Sequence, residues 1–210
     1  MDVKRRTQAE RSTATRAALV AAARPRFAAR GYAAVSTPEI AQAAGVTRGA
    51  MYHQFADKAA LFAAVAEAVE ADVTQRLADE VVAAGHSNPL SALHGAVDAW
   101  LDACEEPEVR QVLLLDAPVV LGWEGFRDLA QHYGLGLTEQ LLQAAIDAGQ
   151  LPVLATRPLA HVLLGALQEA AFVVTAEPPA RAETAAVEHA ILDALARAGA
   201  GAGECAVGGG

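Results

Sequence analysis

Alanine occupies 52 of the 210 positions, and this narrows the possible folds more than any other feature of the chain. Alanine has the highest helix propensity of any residue. The aromatics that favour strands make up only 5% of the sequence, so the balance points to an all-α protein. Helix starts and stops follow one another along the chain. Ser12-Thr13 offers an N-cap, and Leu19, Ala23 and Phe27 recur at helical spacing up to Gly31. Pro25 lies inside that stretch and is expected to kink it. Thr37 with Pro38 opens a short helix, about 38–44, which Gly45 ends. Thr47 caps a second, about 48–54, and Asp57 a long one, about 58–84. The long helix carries Leu61, Phe62, Val65, Val69, Val73 and Leu77 and stops at Gly85.

The remainder repeats this grammar. Asn88-Pro89 opens a helix to about Cys104, and Pro107 opens one that is expected to stop near Pro118. Gly122-Trp123 leads into a helix to about Ala148, with Gly134 and Gly136 as points of interruption. Apolar helices follow over about 156–175 and 182–198, separated by Pro178-Pro179. The count is about nine helices. Residues 199–210, rich in Gly and Ala, are expected to be a disordered tail, and residues 1–11 a flexible basic arm.

Charge divides the chain. The net charge is −9, which for a whole protein argues against nucleic-acid binding. Residues 1–58, however, hold ten Lys/Arg against four Asp/Glu, whereas 59–210 hold six against twenty-one. A head of +6 on a body of −15 confines any contact with an anionic polymer to one end. Two cysteines, with no CxxC pair or His/Cys cluster, leave no disulfide framework and no metal site to expect. No cofactor motif is found. The short, arginine-flanked apolar run Ala17–Ala23 is no secretory signal, and no membrane span is expected, so the default location is cytoplasmic.

Within the head, 38–55 reads as two short helices joined at Gly45, the arrangement of a helix-turn-helix. Gly45 supplies the left-handed backbone that so tight a turn needs. Ile40, Ala41, Ala44, Val46, Ala50 and Met51 form a small apolar seam, and Gly49 keeps the leading end of the second helix slim. Thr47, Arg48, Tyr52 and His53 lie on or beside its outward face. Arg48 can reach guanine edges or phosphate, and Tyr52 and His53 phosphate or base edges. Thr37, at its helix start, can hold a phosphate oxygen. Lys58 stands at the positive end of the long helix, where a cation costs roughly 0.3–1 kcal/mol and a bound phosphate would reverse the sign. Arg5, Arg6 and Arg11 can add backbone or minor-groove contacts. Tyr52 as a packing residue, His53 as bare surface, and Arg24, Arg26 and Arg30 as a solvated face are the competing readings.

The head resembles the TetR/AcrR family of transcriptional regulators. The likeness rests on Arg30-Gly31-Tyr32, Thr37, Ile40-Ala41, Ala44-Gly45-Val46, Gly49, Met51-Tyr52-His53-Gln54-Phe55 and Asp57-Lys58-Ala59-Ala60-Leu61. These motifs span 12–65. Pro25 departs from the pattern, which usually has a good helix former there. The resemblance implies an all-helical dimer with an N-terminal DNA-binding domain, here 12–56, and a larger C-terminal ligand-binding and dimerisation domain, 57–198, in which 57–84 is the linking helix. It also carries a phosphate contact onto Lys58.

In the body, Leu159, Val162, Leu163, Ala166, Leu167 and Ala170 form one apolar stripe and Val187, Ile191 and Leu195 a second, expected to meet a second copy as a four-helix bundle. An entirely intramolecular core is the alternative. Trp100, Cys104, Leu115, Asp116, Trp123, Phe126, Tyr133, Gln168 and Phe172 are expected to surround an effector. For Asp116 a capping role at a helix end competes with that of polar anchor; His132 reads as surface or satisfied, and the aromatics as core or cavity wall. The function expected is a ligand-responsive regulator, a repressor that binds a palindromic double-stranded operator as a homodimer and leaves it when a small hydrophobic or amphipathic effector binds. A dimeric small-molecule-binding or scaffold protein without DNA recognition is the alternative. No GxSxG, HExxH or phosphate loop supports an enzyme.

Overall fold

The computed structural model describes residues 7–207. In order along the chain come α1 (Gln8–Ala34), α2 (Thr37–Ala43), α3 (Arg48–Gln54), α4 (Lys58–Ala83) and α5 (Pro89–Glu105). α6 (Pro107–Val109) passes into a π-helical segment, Arg110–Asp116, and on into α7 (Ala117–Asp147). α8 (Thr156–Ala176), a 3-10 turn at Pro178–Ala180 and α9 (Arg181–Val207) complete it, with no strand among the described residues. The all-α expectation holds.

Local chemistry explains most boundaries. Thr47 accepts from the Ala50 N–H at 3.1 Å, Asp57 from Ala60 at 2.7 Å and Asn88 from Ser91 at 2.9 Å, each quenching an orphan donor at a helix start. At Gly45 (φ 66) the N–H of Val46 bonds the Ala41 carbonyl and that of Gly45 the Gln42 carbonyl, the paired bonds of a Schellman stop. Gly149 ends α7 in the same way, through Gln150 to Ala145 and itself to Ile146.

Six features differ from the sequence reading. α1 starts at Gln8, because Thr7 and Glu10 form a reciprocal capping box ahead of Ser12-Thr13. Ser36, rather than Thr37, caps α2 by accepting from Glu39. α1 keeps helical dihedrals through Pro25; its break is at Gly31 (φ 75). Pro25 and Ala21, whose carbonyl loses its bond, are both exposed, so water can replace the missing donor. Helix also continues through Pro118. The π-helical segment before it has wider i→i+5 closure, and the real break follows at Gly122 (φ 71). α7 runs unbroken past Gly134 and Gly136, and α9 extends beyond Ala198 to Val207; 208–210 lie outside the described residues.

The chain divides into two compact units. The first comprises Met1–Val69 and Pro107–Phe126, so the expected head, 12–56, is part of a larger body. Its core gathers Leu19, Phe27, Ile40, Met51, Leu61, Phe62 and Val65, all fully buried, with Phe27 edge-on to Phe62 at 5.3 Å. The second comprises Glu70–Glu106 and Arg127–Gly210. There α5, α8 and α9 pack on one another around Leu101, Leu142, Ala145, Ala160 and Leu192. Among the described residues α8 alone is long and apolar enough to cross a membrane, and its buried face belongs to this core.

Candidate nucleic-acid interface

α3 is held by one buried residue and presents the rest. Met51 is fully buried, while Arg48, Gly49, Tyr52 and His53 are exposed. Its ends are pinned from α1 and the preceding turn. The side chains of Ser12 and Gln54 exchange hydrogen bonds at 3.0 and 3.1 Å, Arg16 donates to the Gln54 carbonyl, and its guanidinium lies 4.2 Å above the Phe55 ring. At the other end Thr47 is committed to its cap, so its hydroxyl serves α3 first.

Three of the sequence-selected residues come together. Thr37, at the first position of α2, places its hydroxyl 3.2 Å from the Tyr52 hydroxyl, and the Arg48 guanidinium sits 5.6 Å from the Tyr52 ring centre. These partners, Thr37 foremost and then Arg48, hold the Tyr52 phenol below its ordinary range. The chain Thr37–Tyr52–Arg48 therefore fixes two exposed donors on the face of a short helix before any ligand arrives.

Lys58 is the first residue of α4, and its Nζ lies 4.1 Å from the Tyr32 ring centre. Partial burial lowers its pKa, and Asp116 acts against that shift. The neighbouring Asp57 cap and the ring face offset the repulsion a cation meets at a helix N-terminus.

Several other cations of the head are engaged within the protein. Arg24 grips Glu108 with two bonds, at 2.9 and 2.8 Å. Arg26 lies 3.5 Å from Glu39, which also receives Arg30. Arg11 is exposed on α1; Arg5 and Arg6 lie outside the described residues.

The nine residues selected around an effector fall in two units. Leu115, Asp116, Trp123 and Phe126 belong to the first. Leu115 and Trp123 are exposed there, Trp123 to 68%, while Phe126 is buried. Asp116 accepts the Tyr32 N–H at 2.7 Å, beside Gly31, so its carboxylate completes the broken end of α1. Trp100, Cys104, Tyr133, Gln168 and Phe172 belong to the second. Trp100 donates to the Leu167 carbonyl at 3.4 Å, Tyr133 stands edge-on to His132 at 4.7 Å, and Gln168 and Phe172 are half-buried. Cys104 is buried, and burial pushes its thiol up to about 12. No group of three or more His, Cys, Asp or Glu is arranged to hold a metal among the described residues.

The two C-terminal stripes also separate by depth. Leu163 and Ala170 are buried in the second unit, and Leu159, Leu167 and Leu195 pack against its core. Val162, Val187 and Ile191 are exposed. Between α8 and α9 an open, largely apolar groove is lined by Ala166, Val173, Val187 and Glu188 among others.

Sequence reasoning missed Glu70. It occupies the buried seam of α4 with Val69, Val73 and Leu77, and burial alone raises its pKa to about 7. The helical spacing 66, 70, 73, 77 is the signal that sets this acid on the apolar face of α4.

Comparison with known proteins places both parts of the chain. Residues 19–65 match the model described as bacterial regulatory proteins, tetR family. Residues 90–198 match that of the tetracyclin repressor-like C-terminal domain. The regulator AcrR of Shigella flexneri is 33% identical over 147 residues, 66% of this chain and 68% of that protein. A TetR-family transcriptional regulator from Pectobacterium atrosepticum is 32% identical, with a TM-score of 0.74 over 90% of this chain and 95% of the other. RolR, solved with resorcinol, shares the fold at a TM-score of 0.74 and 20% identity, covering 92% and 96%.

Proposed function

The chain belongs to the TetR family and is a DNA-binding transcriptional regulator, and from that premise we propose that it is a cytoplasmic repressor released from its operator by a small molecule. Two copies join through the exposed residues of α8 and α9, Val162, Val187 and Ile191 foremost. The dimer presents its two α3 helices to successive major grooves of a palindromic site, about 34–36 Å apart. Arg48 reads a base edge, and Tyr52, His53, Thr37 and Lys58 hold phosphates. Thr47 and Gly49 shape the approach of α3. The observation that carries this reading is the preset Thr37–Tyr52–Arg48 chain on the exposed face of a helix whose Met51 is locked in the core.

The effector enters the second unit, where Trp100, Cys104, Tyr133, Gln168 and Phe172 are candidates to meet it. Release requires the effector to bind the operator-free state more tightly than the bound one. RolR, the neighbour solved with resorcinol, illustrates a small ligand held on this fold.

Selection of bound DNA from a random pool tests the reading. A palindromic consensus is expected, with log K falling linearly against log salt. Arg48→Ala should weaken specific binding by about 1–3 kcal/mol and relax preference at one position of each half-site. Enrichment of no sequence over random DNA would overturn it.

A further inference from the structure

Two arginines of α1 share one acid. Arg26 lies 3.5 Å from Oε1 of Glu39, and Arg30 donates to the same oxygen. Arg24, by contrast, meets both oxygens of Glu108 in a fork. Arg26, Arg30 and Glu39 together carry one net positive charge, and all three side chains are partly exposed, so an anion in solvent can reach them. Glu39 is also the single acid between Glu10 and Asp57 in the sequence. Those two acids cap helices, whereas the Glu39 carboxylate is committed to arginines.

The place of the group bears on DNA binding. Glu39 stands two residues after Thr37, whose hydroxyl meets that of Tyr52. Arg30 stands two residues before Tyr32, whose ring carries Lys58. A guanidinium binds a carboxylate and a phosphate in the same way, through parallel N–H donors, so Glu39 fills the place a phosphate oxygen would take. Exposed ion pairs of this kind add little to stability, so a phosphate can displace the carboxylate. Contacts between arginine and phosphate supply affinity for every sequence alike. A regulator must find its site against a large excess of random DNA, and such affinity works against that search.

We propose that Glu39 is an internal competitor for DNA phosphate: it holds Arg30 back from the backbone and keeps sequence-independent binding weak. This rests on the reading above only in that the face bearing Thr37 and Lys58 meets DNA. Glu39 thereby raises the share of affinity that comes from base contacts such as that of Arg48.

Fluorescence anisotropy of the full-length protein on two labelled duplexes, the selected operator and a random sequence, tests it. Glu39→Gln should bind both at least about three-fold more tightly at low salt and leave their ratio unchanged. Its plot of log K against log salt should be steeper by about 1, so that the gain shrinks about three-fold between about 50 and about 200 mM salt. Arg30→Gln added to Glu39→Gln should abolish both the gain and the extra slope. Glu67→Gln, which removes an exposed acid of α4, should change neither. Glutamine keeps an acceptor for both guanidiniums, and urea unfolding checks that each variant folds as the parent does. A parent that does not distinguish operator from random DNA would sink the operator reading and leave the random duplex to judge Glu39. A folded Glu39→Gln variant with affinity equal to or below the parent's would overturn the proposal. So would a gain that survives Arg30→Gln, an equal gain from Glu67→Gln, or loss of the fold in Glu39→Gln, which would make the ion pairs structural.

Discussion

Replacing Glu70 by glutamine should stabilise the protein, and only above the acid range. The folded state raises this carboxyl from 4.5 to about 7, so folded protein holds the proton where the unfolded chain has released it. The unfolded state therefore binds fewer protons between those two values, and stability falls as pH rises through that interval. A difference of about 2.5 units corresponds to about 3 kcal/mol, complete once the pH passes the folded value. Below pH 4.5 both states hold the proton and the difference vanishes. Glutamine carries no proton to lose. Parent and variant should therefore unfold at similar urea concentrations at pH 4, and the variant should gain about 3 kcal/mol by pH 8. Fluorescence of the half-buried Trp100 reports the second unit once the exposed Trp123 is changed to Phe. Protomer concentration is held fixed, since association would add to the apparent stability. Parallel midpoints for parent and variant from pH 4 to 8 would refute the reasoning, because they would mean that the carboxyl is solvated or already paired.

Other expectations follow from single contacts. Gly31→Ala forces a side chain onto a backbone of φ 75 with its Cβ 3.0 Å from the Gln111 amide, and should lower stability by at least about 1 kcal/mol in urea titration. Gly136→Ala, in the interior of α7 with nothing within 4 Å, should raise it by about 0.5–1 kcal/mol. Asp116→Ala leaves the Tyr32 N–H without its acceptor and should cost about 1–3 kcal/mol, while Asp116→Asn, which keeps an oxygen, should cost less. Lys58→Ala should weaken all DNA sequences alike and reduce the salt slope by about 1 in filter binding, which distinguishes a phosphate contact from a base contact. Val187→Glu or Ile191→Glu buries a charge in the expected dimer contact and should yield monomers by sedimentation.

What the sequence reveals about this chain is what its neighbours in sequence decide. The stops at Gly45 and Gly149 and the caps at Thr47, Asp57 and Asn88 are closed by residues at most five positions away, so a local reading finds them. The choice between Ser36 and Thr37 as cap is also local, but two adjacent hydroxyls satisfy the same rule; Thr37 goes instead to Tyr52, fifteen residues on. At Pro118 the local rule misleads, because it assumes α-helical closure and the chain enters that proline from a π-helical segment. A capping role for Asp116 is legible in the sequence, but its partner and that of Glu108 lie beyond any local reading. Each pairs with a residue of α1 eighty-four positions earlier, Tyr32 and Arg24 respectively. Those long-range bonds have a structural consequence. They make Pro107–Phe126 part of the unit that carries the DNA-contacting head, so the chain passes between the two units after Val69, after Glu106 and after Phe126.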